Sequence, residues 1–162
     1  MKSLSRRSNP AIHIVVENEA WRKKTRALLL MRRSARLALT AAGAKSGAKG
    51  LTIMLADDAY LKNLNAAFRR RRKTTNVLSF PSADPAYLGD IAIAFGVVAR
   101  EARAQAKSFS AHAAHLAAHG VLHLLGFDHE KKAEAKRMEA LERRILAKLG
   151  IADPYAARGS SA

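Results

Sequence analysis

Hydrophobic positions along this chain alternate in some segments, as in strands, and recur every three to four residues in others, as in helices. The changes between these two patterns predict its secondary structure. Apolar runs at residues 12–16, 51–55, 76–80 and 88–95 predict four short strands. Helical spacing predicts helices at 19–39, 57–68 and 97–106, one beginning near Ser110, and a last one through 138–149. Turn residues between the third and fourth strands favour a hairpin, and the strand-helix-strand start favours a parallel first pair. We expect an α+β fold in which a small mixed four-stranded sheet packs with about five helices.

Particular residue types mark the ends of these elements and of the domain. Asp57 and Ser110 are candidate N-caps, and Gly150 is suited to end the last helix. The polar residues 1–9 predict a flexible N-terminus, and residues 153–162 predict a flexible C-terminal tail. Residues 10–152 are then expected to form a single domain, because a chain of 162 residues suits one core and carries no internal repeat.

The charge of the chain predicts a polyanionic partner. The chain has twenty-nine Lys and Arg and thirteen Asp and Glu, which gives a formal net charge of +16. Residues 69–73 are five consecutive basic residues. Such an excess attracts nucleic acid and makes the binding depend on salt. Aromatic residues make up only 6% of the chain, so base stacking is not expected to be the main source of affinity.

Cysteine usage and hydropathy predict the compartment. The chain has no cysteine, which fits a reducing environment and excludes thiolate metal ligands. The first apolar run, at 11–16, is too short for the core of a signal peptide, and no segment approaches a membrane span. We expect a cytoplasmic protein with no membrane partner.

Three histidines, His119, His123 and His129, are spaced to hold one metal ion. The first two lie four residues apart on an apolar helical run, so their rings project from one face about 6 Å apart along the axis. Gly126 can adopt the left-handed conformation that stops a helix, and the chain can then return His129 to the same ion. Three imidazoles leave a fourth tetrahedral position open, which is typical of catalytic zinc rather than structural zinc.

Two alternatives to this site follow from the same segment. A triad of His115, His119 and His123 would spread its rings over about 12 Å of straight helix, too far for Zn–N bonds of about 2 Å, so His115 is expected to support a ligand or to pack. The spacing of the three predicted ligands, with a glycine in the bend, also occurs in metzincin proteases. There a Glu after the first histidine is the general base, whereas this chain has Gly120, which disfavours peptide hydrolysis.

The segment from 119 to 129 closely resembles the zinc motif of the YbeY endoribonucleases. Further segments resemble that family in the same order: Leu64 to Arg69, Thr75 to Pro81, Leu88 to Ile91, the helix with His112 and His115, and Arg137 to Glu142. The similarity covers roughly residues 50 to 155.

This resemblance implies a zinc-dependent hydrolase of single-stranded RNA that acts in 16S rRNA 3′-end maturation and ribosome quality control. By motif position His119, His123 and His129 would bind one Zn²⁺ per chain, with His119 and Arg69 as the catalytic residues. Arg69 matches the family's functional arginine, and its planar guanidinium suits a phosphate better than a lysine does. RNA, the ribosome or ribosomal proteins are the implied partners, without a nucleotide cofactor. The chain departs from the family at Phe68, where a tyrosine is frequent, and at Arg72, where an aspartate is common.

Several alternatives stay open at this level. Asp128 is a candidate to orient a metal-bound histidine or to accept a proton, and it is equally suited to cap the next helix. The general base is unassigned, and attack by water or by the RNA 2′-OH is equally compatible with the motif. Three imidazoles also bind nickel or copper well. Two other functions are retained: a metzincin-like metalloprotease, and a non-catalytic rRNA-binding factor in ribosome assembly.

Overall fold

A computed structural model describes residues 10–43, 49–69, 76–127 and 131–156, with side chains at all of them except Phe68 and Arg69. The strands are β1 (Ile12–Val16), β2 (Gly50–Ala56), β3 (Val77–Pro81) and β4 (Tyr87–Ala94). The α-helices are α1 (Thr25–Ala41), α2 (Asp58–Arg69), α3 (Phe95–Ala104), α4 (Phe109–Leu124) and α5 (Lys132–Lys148), and a 3-10 helix at Glu19–Lys23 precedes α1. Within the described ranges, none of the helices combines the length and apolar character that a membrane crossing needs.

The four strands form one mixed sheet in the order β1-β2-β4-β3. Strands β1 and β2 pair in parallel, with Ile12 opposite Leu51, and β2 pairs in parallel with β4. Strands β3 and β4 form the antiparallel hairpin, with Leu78 opposite Ala92. The predicted parallel first pair, the hairpin and the α+β class are therefore confirmed.

The two faces of the sheet bury different cores, as the two-residue period of a strand requires. Ile91 and Ile93 of β4 belong to the large core, in which α1, α4 and α5 cover one face. Ala92 and Ala94 belong to a smaller core with Leu61 of α2 on the opposite face. Helix α4 thus lies between the sheet and the other helices, and ten of its residues are buried.

The predicted helix at 19–39 is divided in two. Trp21 is fully buried, and its indole N–H donates to the Ala56 carbonyl over 3.0 Å. The 3-10 helix that carries Trp21 is capped by Asn18, whose side chain accepts from the Ala20 amide at 3.0 Å, and α1 begins only at Thr25. Burial of one large aromatic residue against the end of β2 therefore overrides a continuous helical pattern.

Helix caps agree with the sequence at α2 and differ at α4. The Tyr60 amide donates to Asp57 Oδ1 over 2.8 Å, which confirms Asp57 as the cap of α2. At α4 the predicted cap, Ser110, is wrong, because Ser108 Oγ accepts from the Ala111 amide at 3.0 Å. Phe109 packs on Trp21, with ring centroids 5.3 Å apart, and so belongs to the first turn of the helix.

Candidate metal centre and adjoining cavity

His119 and His123 are brought together on one face of α4. Their Nε2 atoms lie 3.0 Å apart, and their ring centroids lie 4.5 Å apart. Two imidazole nitrogens at this distance share either a proton or a cation. Two Zn–N bonds of about 2.0–2.1 Å at a tetrahedral angle separate their nitrogens by about 3.3 Å, so the pair fits two ligands of one zinc ion.

Glu142 of α5 holds His119 from the other side of its ring. The Glu142 side chain is 1% exposed, and its Oε1 lies 3.3 Å from His119 Nδ1. Nδ1–H therefore donates to the carboxylate, which leaves the Nε2 lone pair directed toward the His123 side. A carboxylate that accepts from the distal nitrogen in this way fixes the tautomer and raises the basicity of a metal-binding histidine.

The same carboxylate is satisfied by two further side chains. His115 Nε2 contacts Glu142 Oε2, and the Tyr155 hydroxyl donates to that oxygen over 2.9 Å. Burial alone would raise the pKa of Glu142, but the hydrogen bonds of His115 and His119 outweigh it and lower that pKa to about 2. Glu142 is therefore a buried, ionised acceptor at neutral pH.

His115, His119 and Glu142 form a second arrangement that could hold a metal, since their donor atoms lie within 4.8 Å of one another. A cation bound by this trio would compete with the hydrogen bonds of Glu142, one of which engages His119 Nδ1. The His119–His123 pair uses the opposite ring nitrogen and needs no such rearrangement. The His115 ring is 6.3 Å from that of His119 and turned to the Glu142 carboxylate; its support of a metal ligand stays a prediction.

Helix α4 ends at the predicted bend. Gly126 has a φ of +97°, the Gly126 amide donates to the His123 carbonyl, and the Phe127 amide donates to the Leu122 carbonyl, both over 3.0 Å. These bonds satisfy carbonyls of the last turn and redirect the chain. His129 and Asp128 lie outside the described residues, so their roles stay predictions. Arg69 is the last residue of α2, but its side chain lies outside the described part of the structure, so its role also stays a prediction.

Gly120, which stands where a metzincin has its glutamate, is required by packing. A Cβ at this position would lie 2.8 Å from Ile91 Cγ2 of β4, closer than real Cβ atoms approach. The Gly120 carbonyl also accepts from Ser79 Oγ of β3 over 3.2 Å. Residue 120 therefore faces the sheet, where a glutamate could not act on a substrate.

A cavity of about 640 Å³ extends from His119 toward the start of α4. We call it the α3–α4 cavity; its walls are the end of α3, the histidine face of α4, Asn76, and the segment Pro154–Tyr155. Within the predicted tail, residues 153–156 therefore contact the domain: Asp153 also pairs with Arg143 of α5 over 3.2 Å.

Sequence reasoning did not identify Glu142 or Tyr155. A signal for Glu142 was present, because it lies four residues after the buried Met138 and three before the buried Ile145, on the apolar side of α5. An acid on a buried stripe usually has a partner. Tyr155 follows the last helix and carried no comparable signal.

Comparisons with known proteins show which family the chain is similar to. The family model of endoribonuclease YbeY matches residues 14–150. The chain is 45% identical over 162 residues to endoribonuclease YbeY of Rhodopseudomonas palustris strain CGA009, which covers 95% of this chain and 85% of the relative. It is 46% identical over 151 residues to that of Methylocella silvestris, which covers 90% and 86%.

The fold is similar to the solution structure of TM1509 from Thermotoga maritima, with a TM-score of 0.58 and 21% identity over 93% of this chain and 97% of that one. At this identity the likeness supports the fold alone. A single family model matches most of the chain, and the sequence identity to the two YbeY relatives is 45% and 46%. The chain therefore belongs to the endoribonuclease YbeY family.

Proposed function

We propose that this endoribonuclease is zinc-dependent, cuts single-stranded RNA, and acts in the cytoplasm on the 3′ end of 16S rRNA during ribosome maturation and quality control. The observation that carries the zinc dependence is the 3.0 Å separation of His119 Nε2 and His123 Nε2, with His119 held by a buried carboxylate. His129 is proposed as the third ligand of one zinc ion per chain. When bound, zinc supplies Lewis acidity to a phosphodiester oxygen and to an attacking hydroxyl or water.

The protein's own residues orient and bind around that centre. Glu142 fixes the ring of His119, and His115 and Tyr155 keep Glu142 in place. Arg69 is proposed to bind the scissile phosphate through its guanidinium fork, and Asp128 to support the metal ligands. The net charge of +16 favours RNA as the substrate and the ribosome as the setting.

The direct test measures bound zinc and RNA cleavage in parallel for the wild type, His119→Ala and His13→Ala. His13 is an exposed histidine of β1 and serves as the matched control. We expect the wild type and His13→Ala to hold one zinc per chain and to cut RNA, and His119→Ala to lose both properties. If His119→Ala retained both zinc and cleavage, this assignment of the site would be wrong.

The role of Arg69 is tested with Arg69→Lys against Arg36→Lys, an exposed arginine on α1. Replacing a planar bidentate group by a point charge is expected to lower kcat/KM for RNA by about tenfold or more, a loss of about 1.4 kcal/mol in transition-state stabilisation. Arg36→Lys should leave kcat/KM within about twofold of the wild type. Equal kcat/KM for Arg69→Lys and the wild type would remove Arg69 from the site.

The two retained alternatives make different predictions. A metalloprotease would digest denatured casein, which the burial of residue 120 against Ile91 disfavours. A non-catalytic assembly factor would bind RNA equally well with and without His123, and His123→Ala would then leave any residual cleavage unchanged. Analysis of the 3′ ends of the RNA products distinguishes attack by water from attack by the 2′-OH.

A further inference from the structure

The α3–α4 cavity is continuous with the metal centre because His119 contributes to both. Its volume of about 640 Å³ exceeds that of a single nucleoside, and its mouth is open. A phosphodiester held at His119 and His123 would therefore leave an adjoining nucleotide beside this cavity. Proteins that recognise single-stranded RNA commonly take up an unstacked base in such a pocket and bind its Watson–Crick edge.

The polar wall of this cavity is centred on Glu101 of α3. Asn76 Nδ2 donates to both carboxylate oxygens, over 3.1 and 3.0 Å, and His112 Nε2 lies 2.7 Å from Oε2. These bonds fix the carboxylate without using all of its accepting capacity, which amounts to about four lone pairs. The Glu101 side chain is 31% exposed, so a ligand in the cavity can reach it.

Two buried imidazoles lie behind this carboxylate, and their Nδ1 atoms are enclosed rather than exposed to the cavity. Burial lowers the pKa of His112, and the neighbouring Glu101 only partly opposes that shift, so His112 is neutral at physiological pH. A neutral ring that donates from Nε2 to Glu101 has an acceptor at Nδ1. Among the described residues, His112 Nδ1 and His115 Nδ1 are buried side-chain nitrogens with no hydrogen-bond partner. The His112 side chain is 4% exposed, and both residues line the cavity.

We propose that the α3–α4 cavity receives an unpaired base of the RNA adjoining the cleaved phosphodiester, and that Glu101 makes guanine the preferred base. Guanine presents two adjacent donors, N1–H and the 2-amino group, which suit the partly exposed carboxylate of Glu101. Adenine and cytosine each place a ring acceptor beside their amino group, and uracil has a single donor between two carbonyls. A site built from fixed acceptors rejects such edges because its polar groups are left unpaired.

A metal ion is a less suitable occupant of this part of the cavity. In the described part of the chain, the group of three metal-binding side chains is His115, His119 and Glu142, and Glu101 with His112 supplies only two. Lys107 also lines the cavity, and its ammonium would repel a cation there. This part of the cavity therefore favours a neutral ligand that donates hydrogen bonds to Glu101.

The base preference rests on the proposed function for its cleavage readout, so the first experiment compares cleavage of unstructured RNAs that differ at one nucleotide. Guanosine, inosine and adenosine are placed in turn at each position around the cut. Inosine retains N1–H and lacks the 2-amino group. The wild type is expected to prefer guanosine to adenosine by about 10- to 100-fold at one fixed position, with inosine between them.

The variant Glu101→Gln tests the residue, because an amide places a donor where the carboxylate has an acceptor. We expect its guanosine-to-adenosine ratio to fall to within about threefold of unity. The control Glu19→Gln removes a carboxylate that is 91% exposed, and it should keep the wild-type ratio. A wild type without base preference, or a Glu101→Gln variant that keeps the wild-type ratio, would overturn the proposal.

A second measurement needs neither cleavage nor a folded variant. Guanosine 5′-monophosphate and adenosine 5′-monophosphate are titrated into the wild-type protein, and the resonances of the His112 and His115 rings are followed by NMR. Saturable shifts at lower concentration with the guanosine nucleotide support the cavity assignment even if the zinc-dependent function is wrong. Equal affinities, or shifts confined to other residues, contradict it.

Discussion

Two carboxylate–histidine pairs lie along the same face of α4, and they differ in what surrounds the acid. Glu142 is 1% exposed and accepts from His119 and Tyr155 while contacting His115. Glu101 is 31% exposed and is held by His112 and Asn76 at the wall of a cavity. The chemical groups are the same, but the first pair is enclosed and the second is open to a ligand.

The difference shows how burial decides the role of an acid. A carboxylate that is fully enclosed and accepts several hydrogen bonds stays ionised and rigid, so it can orient a neighbouring ring. A carboxylate that is fixed on one side and open on the other can bind a partner. Four measurements separate these roles.

The largest effect is expected for Glu142→Gln, measured as zinc affinity by competition with a chelator. The amide is a weaker acceptor for His119 Nδ1–H and places a donor beside other donors, so His119 is held less well. We expect the dissociation constant for zinc to rise about 10- to 100-fold. Glu139→Gln is the matched control on α5, since that side chain is 37% exposed and lies 3.8 Å from Arg143, and it should bind zinc within about twofold of the wild type. Wild-type zinc affinity in a folded Glu142→Gln protein would show that Glu142 does not position His119.

The pair of Glu101 and His112 predicts that stability depends on pH. Burial lowers the pKa of His112 in the folded protein below its ordinary value of 6.5, against the opposing effect of Glu101. The unfolded chain therefore binds a proton that the folded protein excludes, and the free energy of unfolding falls as pH drops below about 6.5 toward the folded-state pKa. The slope contributed by one such proton reaches about 1.4 kcal/mol per pH unit.

This slope of the free energy of unfolding against pH is compared between the wild type and His112→Gln, whose side chain can still donate to Glu101 and does not titrate. Glu101, His115 and Lys107 are the titratable groups that act on His112, and all three remain in the variant. Denaturant unfolding at several pH values is expected to show the smaller slope for His112→Gln. Parallel curves for the two proteins would mean that His112 is protonated equally in both states.

Tyr155→Phe is expected to have a smaller effect. It removes the hydroxyl that donates to Glu142 Oε2 over 2.9 Å and leaves the ring, which packs against His115 with centroids 5.6 Å apart. We expect the free energy of unfolding to fall by about 1–2 kcal/mol, in the range for a hydrogen bond to a charged group. Tyr60→Phe, at an exposed ring on α2, should change it by less than about 0.5 kcal/mol. Equal stability of the two variants would show that the tail segment does not support Glu142.

The parts of the site that local geometry determines could be predicted from the sequence. His119 and His123 meet because residues four apart on a helix share a face, and Gly126 bends the chain because a positive φ suits glycine. Parallel pairing of β1 with β2 follows from the connection between them. None of these required knowledge of how distant elements pack.

The parts that depend on packing could not be predicted in the same way. Glu142 reaches His119 only because α5 packs on α4 with one particular rotation, across 23 residues of sequence. Phe109 packs on Trp21 and Phe95, so α4 already begins at Phe109. Ser108 rather than Ser110 therefore caps the helix. Tyr155 joins the site through a segment whose composition is typical of a loose tail. In each case the deciding contact lies far away in the sequence.

The smallest effect, and the sharpest comparison of the two acids, is expected for Glu101→Gln in the zinc assay. Glu101 contacts His112 and Asn76, neither of which is a proposed ligand, and His115 separates this pair from His119 along α4. The amide should therefore leave zinc affinity within about twofold of the wild type, while Glu142→Gln weakens it by about 10- to 100-fold. A comparable loss in both variants would mean that the two carboxylates act as one connected network around the metal, and the open acid could then no longer be assigned to the base alone.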